Sequence, residues 1–406
     1  MTMPDKSTNL WIFNHYAVTP DLPDGTRHFD FGQELTKLWF KVTIFASSFP
    51  HSIRQEYKLT PRQTWKLENY CGVNFVWLKT RAYKKNDWRR LLNICSYYFR
   101  ACKVGKKITK PPTNLAQPDV IIGSTVHPLA VLAAHRLAKH YRAKFIVEIR
   151  DLWPQSLIDM GSLSAKSLKA RLLRLLERFY CSRAQSIIVL SPPARDYLIK
   201  AGYPADKIKL IPHGIAIDAT PYTLPESHKT FTVVYCGSFS LVNDLAPAFE
   251  AAKIIQDQGF SDIKFKFMGA GACREELMKL TEKLKLTNVE FAEPVAKKKL
   301  PECLSQADAF LLSENKILYG ASNKLLDYLA AGRPIIFSTF AAHNIISTID
   351  CGIIADPQNH ESLSEAIIKL YKLPENERLL MGQRARNFAA NNFDISHLAR
   401  QLAQIL

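Results

Sequence analysis

Acid is scarce in this chain. Its 406 residues carry 54 Lys and Arg against 37 Asp and Glu, a formal net charge of +17. Such an excess points to an anionic partner, whether membrane, nucleic acid or polyanionic substrate, and charge alone does not choose among them. Long apolar runs are missing: none approaches the ~18 residues that a spanning helix needs. The polar segment Met1–Asn9 has no signal-peptide core. The eight cysteines form no C-x-x-C pair and no His/Cys cluster at zinc spacing. That removes the zinc-module classes and leaves reduced thiols in a cytosolic protein as the simplest reading. No G-x-G-x-x-G opens a helix, which excludes a dinucleotide fingerprint. No DNA- or RNA-module signature accompanies the basic charge. What remains is an ordinary globular composition, 47% hydrophobic and 22% charged, long enough for two domains.

Short apolar runs alternate with segments of helical periodicity. Asn9–His15, Lys41–Ala46, Asp119–Gly123, Lys144–Glu148, Ser186–Leu190 and Lys207–Pro212 read as buried strands. A second series follows at Phe231–Cys236, Lys264–Met268, Asn288–Ala292, Ala307–Ser313 and Ile335–Ser338. Between the two series, residues 215–229 hold Pro221, Pro225 and small polar residues that break the pattern, as a linker does. Strand–loop–helix–strand order predicts an α/β protein with parallel sheets, whose ligands sit at the carboxyl ends of strands.

Between Lys79 and Lys110 stand eleven Lys or Arg and one acid, Asp87, with Tyr83, Trp88, Tyr97, Tyr98 and Phe99 interleaved. Trp88, Leu91, Leu92, Cys95, Phe99 and Cys102 fall on helical spacing. A basic helix with an aromatic face lies on an anionic membrane, through Lys84, Lys85, Trp88, Arg89 and Arg90, or binds nucleic acid through phosphate contacts, or packs on its own domain with a solvated basic rim. A second helix spans about Ser167–Cys181, with Leu172, Leu173, Leu175, Leu176 and Phe179 as its apolar groups.

The most informative stretch is Tyr319–Ser338. Ser322 or Asn323 can cap a short helix, Gly332 and Pro334 stop it, and Leu325, Leu326 and Leu329 give it a buried side. Asn323 and Asp327, four apart, share another face. Free N–H groups at such a tip, with Lys324 beside them, suit a diphosphate, and Asp327 suits a pair of sugar hydroxyls. The plainer alternative is a surface ion pair between Lys324 and Asp327. Other candidate positions carry the same ambiguity. His127, after a strand, either meets a phosphate or sugar hydroxyl or is a loop histidine. Arg150 and Asp151 either face a substrate or satisfy each other. Gly25 is either a ligand-approach or a turn glycine, and Gly269-Ala270-Gly271 serves a ligand or close helix–strand packing.

Ser322–Tyr328 resembles the Ser-x-Asn-Lys-x-x-Asp/Glu-Tyr signature of one branch of the family 4 glycosyltransferases, two-lobed enzymes of the GT-B fold. Val147–Gly161 closely resembles the Glu-Val-Arg-Asp-Leu-Trp-Pro segment of transferases that add 6-deoxy amino sugars such as N-acetylfucosamine to lipid-linked precursors. Asp24-Gly25-Thr26-Arg27 is similar to that branch's Gly-Gly-x-x-Arg loop, and Pro212-His213-Gly214 to its Pro-Asn-Gly passage between lobes. The chain departs from the pattern in places: Tyr319 stands at the first acidic position, Leu241 where many members place a basic residue, Asp24 replaces the first Gly and His213 the Asn, and one residue fewer separates Ser322 from Asn323.

The resemblance implies a GT-B architecture with an acceptor lobe over residues 1–212, a nucleotide-sugar lobe over 213–385, and a helix over 386–406 returning to the first lobe. It implies a retaining transfer with no metal and no cofactor. Gly237, Ser238, Gly269, Ser322, Asn323, Lys324 and Asp327 would bind the donor, and His127, Arg150, Asp151 and Lys324 would serve the chemistry. Asp24, Gly25 and Arg27 would form an acceptor-side loop. The implied partners are a nucleotide sugar such as a UDP-linked 6-deoxy or N-acetylamino sugar, a polyprenyl-diphosphate-linked saccharide and an anionic membrane, in O-antigen or capsule synthesis at the inner face of the cytoplasmic membrane. A UDP-sugar 2-epimerase on the same fold, or a membrane-bound scaffold without activity, are the alternatives.

Overall fold

The computed structural model describes residues 7–51, 53–84, 87–159, 161–218, 230–314, 323–339 and 344–406. The first sheet contains β1 (Asn9–Phe13), β2 (Lys41–Ser47), β3 (Trp65–Tyr70), β4 (Val73–Leu78), β5 (Val120–Ser124), β6 (Lys144–Ile149), β7 (Ser186–Val189) and β8 (Ile208–Leu210), in the order β3-β4-β2-β1-β5-β6-β7-β8. The second contains β9 (Phe231–Cys236), β10 (Ile263–Met268), β11 (Val289–Ala292), β12 (Ala309–Glu314), β13 (Ile335–Thr339) and β14 (Gly352–Ala355), in the order β11-β10-β9-β12-β13-β14. The central strands are parallel and buried along nearly their whole length. Helices cover both faces of each sheet, so these strands read as continuous apolar runs.

The edge hairpin β3–β4 goes beyond the strands expected from the sequence. It is antiparallel and closes through Cys71 and Gly72, both at positive φ, as a two-residue hairpin turn requires. Partly exposed β3 carries Lys66, Glu68 and Asn69, whose polarity hides it from a search for apolar runs.

Each sheet reverses its strand order once near its centre, between β1 and β5 and between β9 and β12. Crevices open beyond the carboxyl ends of strands at such reversals. The return to the first unit is made by two helices. Glu375–Phe393 still packs against the second unit, with Ala385 and Ala389 fully buried there. Asp394 then caps Ile395–Ala403, whose Ile395, Leu398, Ala399 and Leu402 join Leu10, Leu35 and Val42 in the first unit's core. The crossing therefore lies at Asp394, later than the boundary at 386 expected from the sequence. Gly214 is the passing place: a Cβ there would meet Ile395 Cδ1 at 2.4 Å.

Candidate functional site

The helix Asn323–Ala331 is held by Tyr328 as well as by its leucines. The Tyr328 ring stacks on Phe310 at 4.3 Å, and its hydroxyl accepts the Cys236 N–H at 2.8 Å. This ties the helix to the end of β9. Leu326 and Leu329 are buried as expected, whereas Leu325 is half-buried. Gly332 takes φ 68° and stops the helix. Ser322 and Tyr319 lie outside the described residues, as does Lys85.

Lys324 and Asp327 do not pair. Lys324 Nζ donates to Asn243 Oδ1 at 2.5 Å and lies 5.4 Å from the Tyr235 ring centroid. Its stem runs against Gly237, where a Cβ would come within 2.7 Å of Lys324 Cδ. Asn243 is a residue that sequence reasoning missed. Its Nδ2 donates to the Ser238 carbonyl at 2.7 Å and to Ser240 Oγ at 3.0 Å, so one buried amide fixes the Gly237–Ser240 loop and aims Lys324. The Ser238 carbonyl also accepts from the Tyr235 hydroxyl. Gly269 is a packing position: a Cβ there would lie 1.9 Å from the Gly237 carbonyl oxygen. Leu241 is 83% exposed, and the side chain that reaches this loop comes from Lys324.

Asp327 instead binds Lys297, at 2.5 Å. Both line a cavity of about 300 Å3 between the two units. Gly25, Thr26, Arg27, Asp30 and His213 form its other wall, and Leu300, Pro301, Leu304 and Leu326 give it an apolar end. The units touch at its rim. Lys297 N–H donates to the Leu22 carbonyl, Lys298 N–H to the Pro20 carbonyl, and Lys298 Nζ binds Asp21 at 2.7 Å. At Gly25 a Cβ would meet Asn323 Nδ2 at 3.0 Å, which gives this glycine a close-approach role; Asp24 beside it is half-buried. Asp30 is a second missed residue. Burial pushes its carboxyl up to about 6, against the Thr26 hydroxyl bonded to it at 2.6 Å and the charge of Lys297.

The Arg27 side chain is tied within the protein. Its guanidinium is buried, with Nε on Glu148 Oε1 at 2.8 Å and its other nitrogens on the carbonyls of Pro212 and Ile211. Glu148 also binds His28 Nε2 at 2.7 Å and accepts the Ser124 hydroxyl at 2.8 Å. Burial acts to raise its carboxyl, but His28, Arg27 and these hydrogen bonds hold it well below the usual carboxylate range. Glu148 lies within the Val147–Gly161 run, yet the sequence does not reveal that it anchors the start of the linker through Arg27.

His127 lies apart from the interlobe cavity. It caps the helix Pro128–Tyr141, accepting the Ala130 N–H at Nδ1. Its Nε2 meets His15 Nδ1 at 2.7 Å. Burial pushes its pKa down to about 3, so it is neutral at physiological pH. Arg150 is half-buried and Asp151 exposed, and they form no ion pair among the described residues. Thr125 Oγ1 donates to the Asp151 carbonyl and accepts the Arg150 N–H, locking the loops after β5 and β6 together. The structure thus gathers Gly25, Arg27, Asn323 and Asp327 around one cavity, with Lys324, Gly237 and Ser238 in a neighbouring cluster. His127 belongs to a second cluster in the first unit.

The helix Trp88–Lys107 turns most of its sequence-visible stripe outward, although Cys102 is buried and Cys95 half-buried. Trp88, Leu91, Leu92 and Phe99 are exposed, while Asn93, Tyr97, Ala101 and Val104 face the core. Leu168–Arg183 likewise exposes Leu172 and Leu175, two of the apolar groups that the sequence marks on it, together with Leu168. Both helices pack against Pro128–Tyr141, so both stripes lie on one face of the first unit. Lys84 and Arg89 are exposed nearby, whereas Arg90 turns inward to the Tyr16 hydroxyl at 3.4 Å. Among the described residues, no helix is long and apolar enough to cross a membrane.

Residues 27–214 match the family model described as glycosyl transferase 4-like domain, and residues 230–373 the one described as glycosyl transferases group 1. A curated relative, the putative colanic acid biosynthesis glycosyl transferase WcaI of Escherichia coli K12, is 22% identical over 361 residues, covering 83% of this chain and 85% of its own length. Among solved structures, sucrose-phosphate synthase of Thermosynechococcus elongatus superposes with TM-score 0.74 at 15% identity over 98% of both chains. WaaG, a glycosyltransferase involved in lipopolysaccharide biosynthesis, gives 0.68 at 15% identity over 98% of this chain and 99% of its own. HepE of Anabaena, solved with UDP and glucose, gives 0.67 at 13% identity with the same coverage. The fold is that of the GT-B glycosyltransferases.

Proposed function

From a chain that carries both halves of a GT-B glycosyltransferase, we propose a transferase that moves a sugar, with retention, from a nucleoside-diphosphate donor to a lipid-linked saccharide of a cell-surface polysaccharide. The observation that carries this reading is Lys324, aimed by Asn243 across the Gly237–Ser238 loop at the tip of the Asn323–Ala331 helix. A cation and the N–H groups of a helix N-terminus on one spot stabilise the charge that grows on a departing diphosphate. They take the place of a metal in this proposal. Asp327, freed from Lys297, would accept the hydroxyls of the ribose, with the apolar end of the cavity beside it for the base. Contacts between Lys297–Lys298 and Pro20–Leu22 close the units over the cavity and exclude water from an oxocarbenium-like transition state.

By the resemblance, Arg150 takes the slot where members of the family often carry a His that can touch the donor's 6-hydroxyl, which a 6-deoxy sugar lacks. The proposed donor is therefore a 6-deoxy or N-acetylamino sugar, for instance on UDP. HepE was solved with UDP, and the names of WcaI and WaaG refer to polysaccharide and lipopolysaccharide synthesis. The test is mass spectrometry of products from a mixed nucleotide-sugar pool, with and without membrane lipid extract. The expected product is a saccharide-extended lipid carrying a 6-deoxy or amino sugar. Transfer confined to hexoses that carry a 6-hydroxyl and no amino group overturns the donor assignment, and sugar conversion without lipid extract overturns the transferase in favour of an epimerase.

The outward stripes on Trp88–Lys107 and Leu168–Arg183, set among Lys and Arg, form the proposed contact with the anionic inner face of the cytoplasmic membrane. Replacing Trp88, Leu91, Leu172 and Leu175 by Ser should weaken sedimentation with phosphatidylglycerol-containing vesicles by at least about tenfold, because several buried apolar side chains are lost. Undiminished vesicle binding would contradict it.

A further inference from the structure

Arg90 stands in the first turn of the Trp88–Lys107 helix but leaves the outward face. Its Nε reaches the Tyr16 hydroxyl at 3.4 Å, and its Cζ lies 5.9 Å from the Tyr16 ring centroid. Its charge acts on His15, His51, Tyr83, His127 and Asp151. Tyr16 in turn packs near His51 and His127, at 5.5 and 6.0 Å between rings, so Arg90 stands beyond the carboxyl ends of β1, β2 and β5. Arg54 belongs to the same cluster: it acts on His51 and Tyr83 and donates to the Lys84 carbonyl at 2.6 Å. His51 is bonded to the Tyr83 hydroxyl and packs near Tyr16, at 5.5 Å between rings. Neither arginine forms an ion pair within 4 Å among the described residues, although exposed Asp151 is near Arg90.

A second, independent observation lies in the histidine pair. The Ala130 N–H donates to His127 Nδ1, so neutral His127 carries its proton on Nε2. That proton points to His15 Nδ1 at 2.7 Å. His15 must then be protonated on Nε2, and among the described residues this N–H is fully buried with no partner. An orphaned buried donor is costly, typically ~1–3 kcal/mol. The aromatic rings of Tyr16 and Tyr97 sandwich His15 at 4.5 and 4.4 Å and fix its plane. Burial keeps His15 and His51 neutral, so the positive charge of the cluster resides on the arginines.

We propose that Arg90 and Arg54, with the His15 Nε2–H, bind a phosphate-class group of the acceptor, at a site separate from the donor diphosphate beside Lys324. Guanidinium groups that form no ion pair within 4 Å among the described residues, joined by a neutral donor, match an anion with several acceptor oxygens. The placement also fits the helix. Trp88 and Leu91 face outward next to the inward Arg90, so a lipid-linked diphosphate would enter the crevice where its chain meets the membrane. This inference rests on the acceptor reading above.

Pyrophosphate is the probe, titrated calorimetrically into the full-length protein saturated with UDP. Wild type should bind it alongside UDP. Arg90→Gln should weaken that binding at least tenfold, Arg90→Lys less, and Lys324→Ala should leave it unchanged. Absence of pyrophosphate binding, or binding that Arg90→Gln does not affect, overturns the site. Failure of UDP to bind counts against the donor reading instead, and the Arg90 comparison then proceeds without UDP. Two acceptors separate the sources. A KM raised at least tenfold by Arg90→Gln for a short-chain prenyl-diphosphate saccharide, and not for a soluble sugar phosphate, assigns the site to the lipid carrier. The reverse assigns it to a phosphorylated sugar, and no change with either overturns the proposal.

Discussion

Lys324→Ala should lower kcat by roughly tenfold to a thousandfold, the usual cost of losing one donor that meets charge developing in the transition state. The expectation follows from position. Lys324 is not spent on Asp327, which binds Lys297; it is directed by Asn243 over the Gly237–Ser238 loop. Ground-state affinity for the nucleotide should change less than kcat, because the diphosphate becomes more negative as the sugar leaves. Asn243→Ala should reproduce part of the loss, since it releases the ammonium and frees the loop it holds. Steady-state assays that return an unchanged kcat for Lys324→Ala would remove the residue from the chemistry.

Glu148→Gln should cost about 3–5 kcal/mol of stability, because it leaves Arg27 as a buried charge without its counter-ion. That is a large part of the ~5–15 kcal/mol by which folded proteins exceed their unfolded states. The pH dependence carries the same signature. Glu148 is held well below its ordinary value of 4.5 in the folded protein. Its contribution is therefore present above 4.5 and is lost as pH falls toward its lowered folded value. Urea melts at pH 7.5 should show the full deficit of Glu148→Gln, and melts at lower pH a shrinking one. A second change, Arg27→Met, should recover part of the loss by removing the stranded charge. Equal melting curves for wild type and Glu148→Gln would show that the Arg27–Glu148 pair does not hold the linker.

The alternation of strands and helices was legible because parallel strands buried on both faces are short apolar runs, and the stop at Gly332–Pro334 is local chemistry. The tip of the Asn323–Ala331 helix was legible for the same reason. Periodicity shows which residues share a face but not what that face meets. Trp88, Leu91 and Leu92 and, on the other helix, Leu172 and Leu175 share outward stripes. Tyr97 and Asn93 face the core instead. Contacts between distant segments were not legible at all. Asp327 meets Lys297, Glu148 meets Arg27, and Asn243 meets Lys324 across 30, 121 and 81 positions of sequence. Asp327, Arg27 and Lys324 stand out in their own neighbourhoods, but their partners Lys297, Glu148 and Asn243 do not, and each pairing exists only once distant segments face each other. Asp30 is similar: a helix-surface carboxylate by position, it becomes a raised-pKa wall of the cavity because the second unit covers it.

The central claim is that the nucleotide of a sugar donor sits between the units, with its phosphates at the tip of Asn323–Ala331. A crystal structure of the full chain with UDP measures this directly. The account predicts the diphosphate within hydrogen-bond reach of Lys324 Nζ and the Asn323 or Lys324 N–H, with Asp327 turned from Lys297 to the ribose. Nucleotide density elsewhere, with the Lys297–Asp327 pair intact and Lys324 still on Asn243, would contradict it.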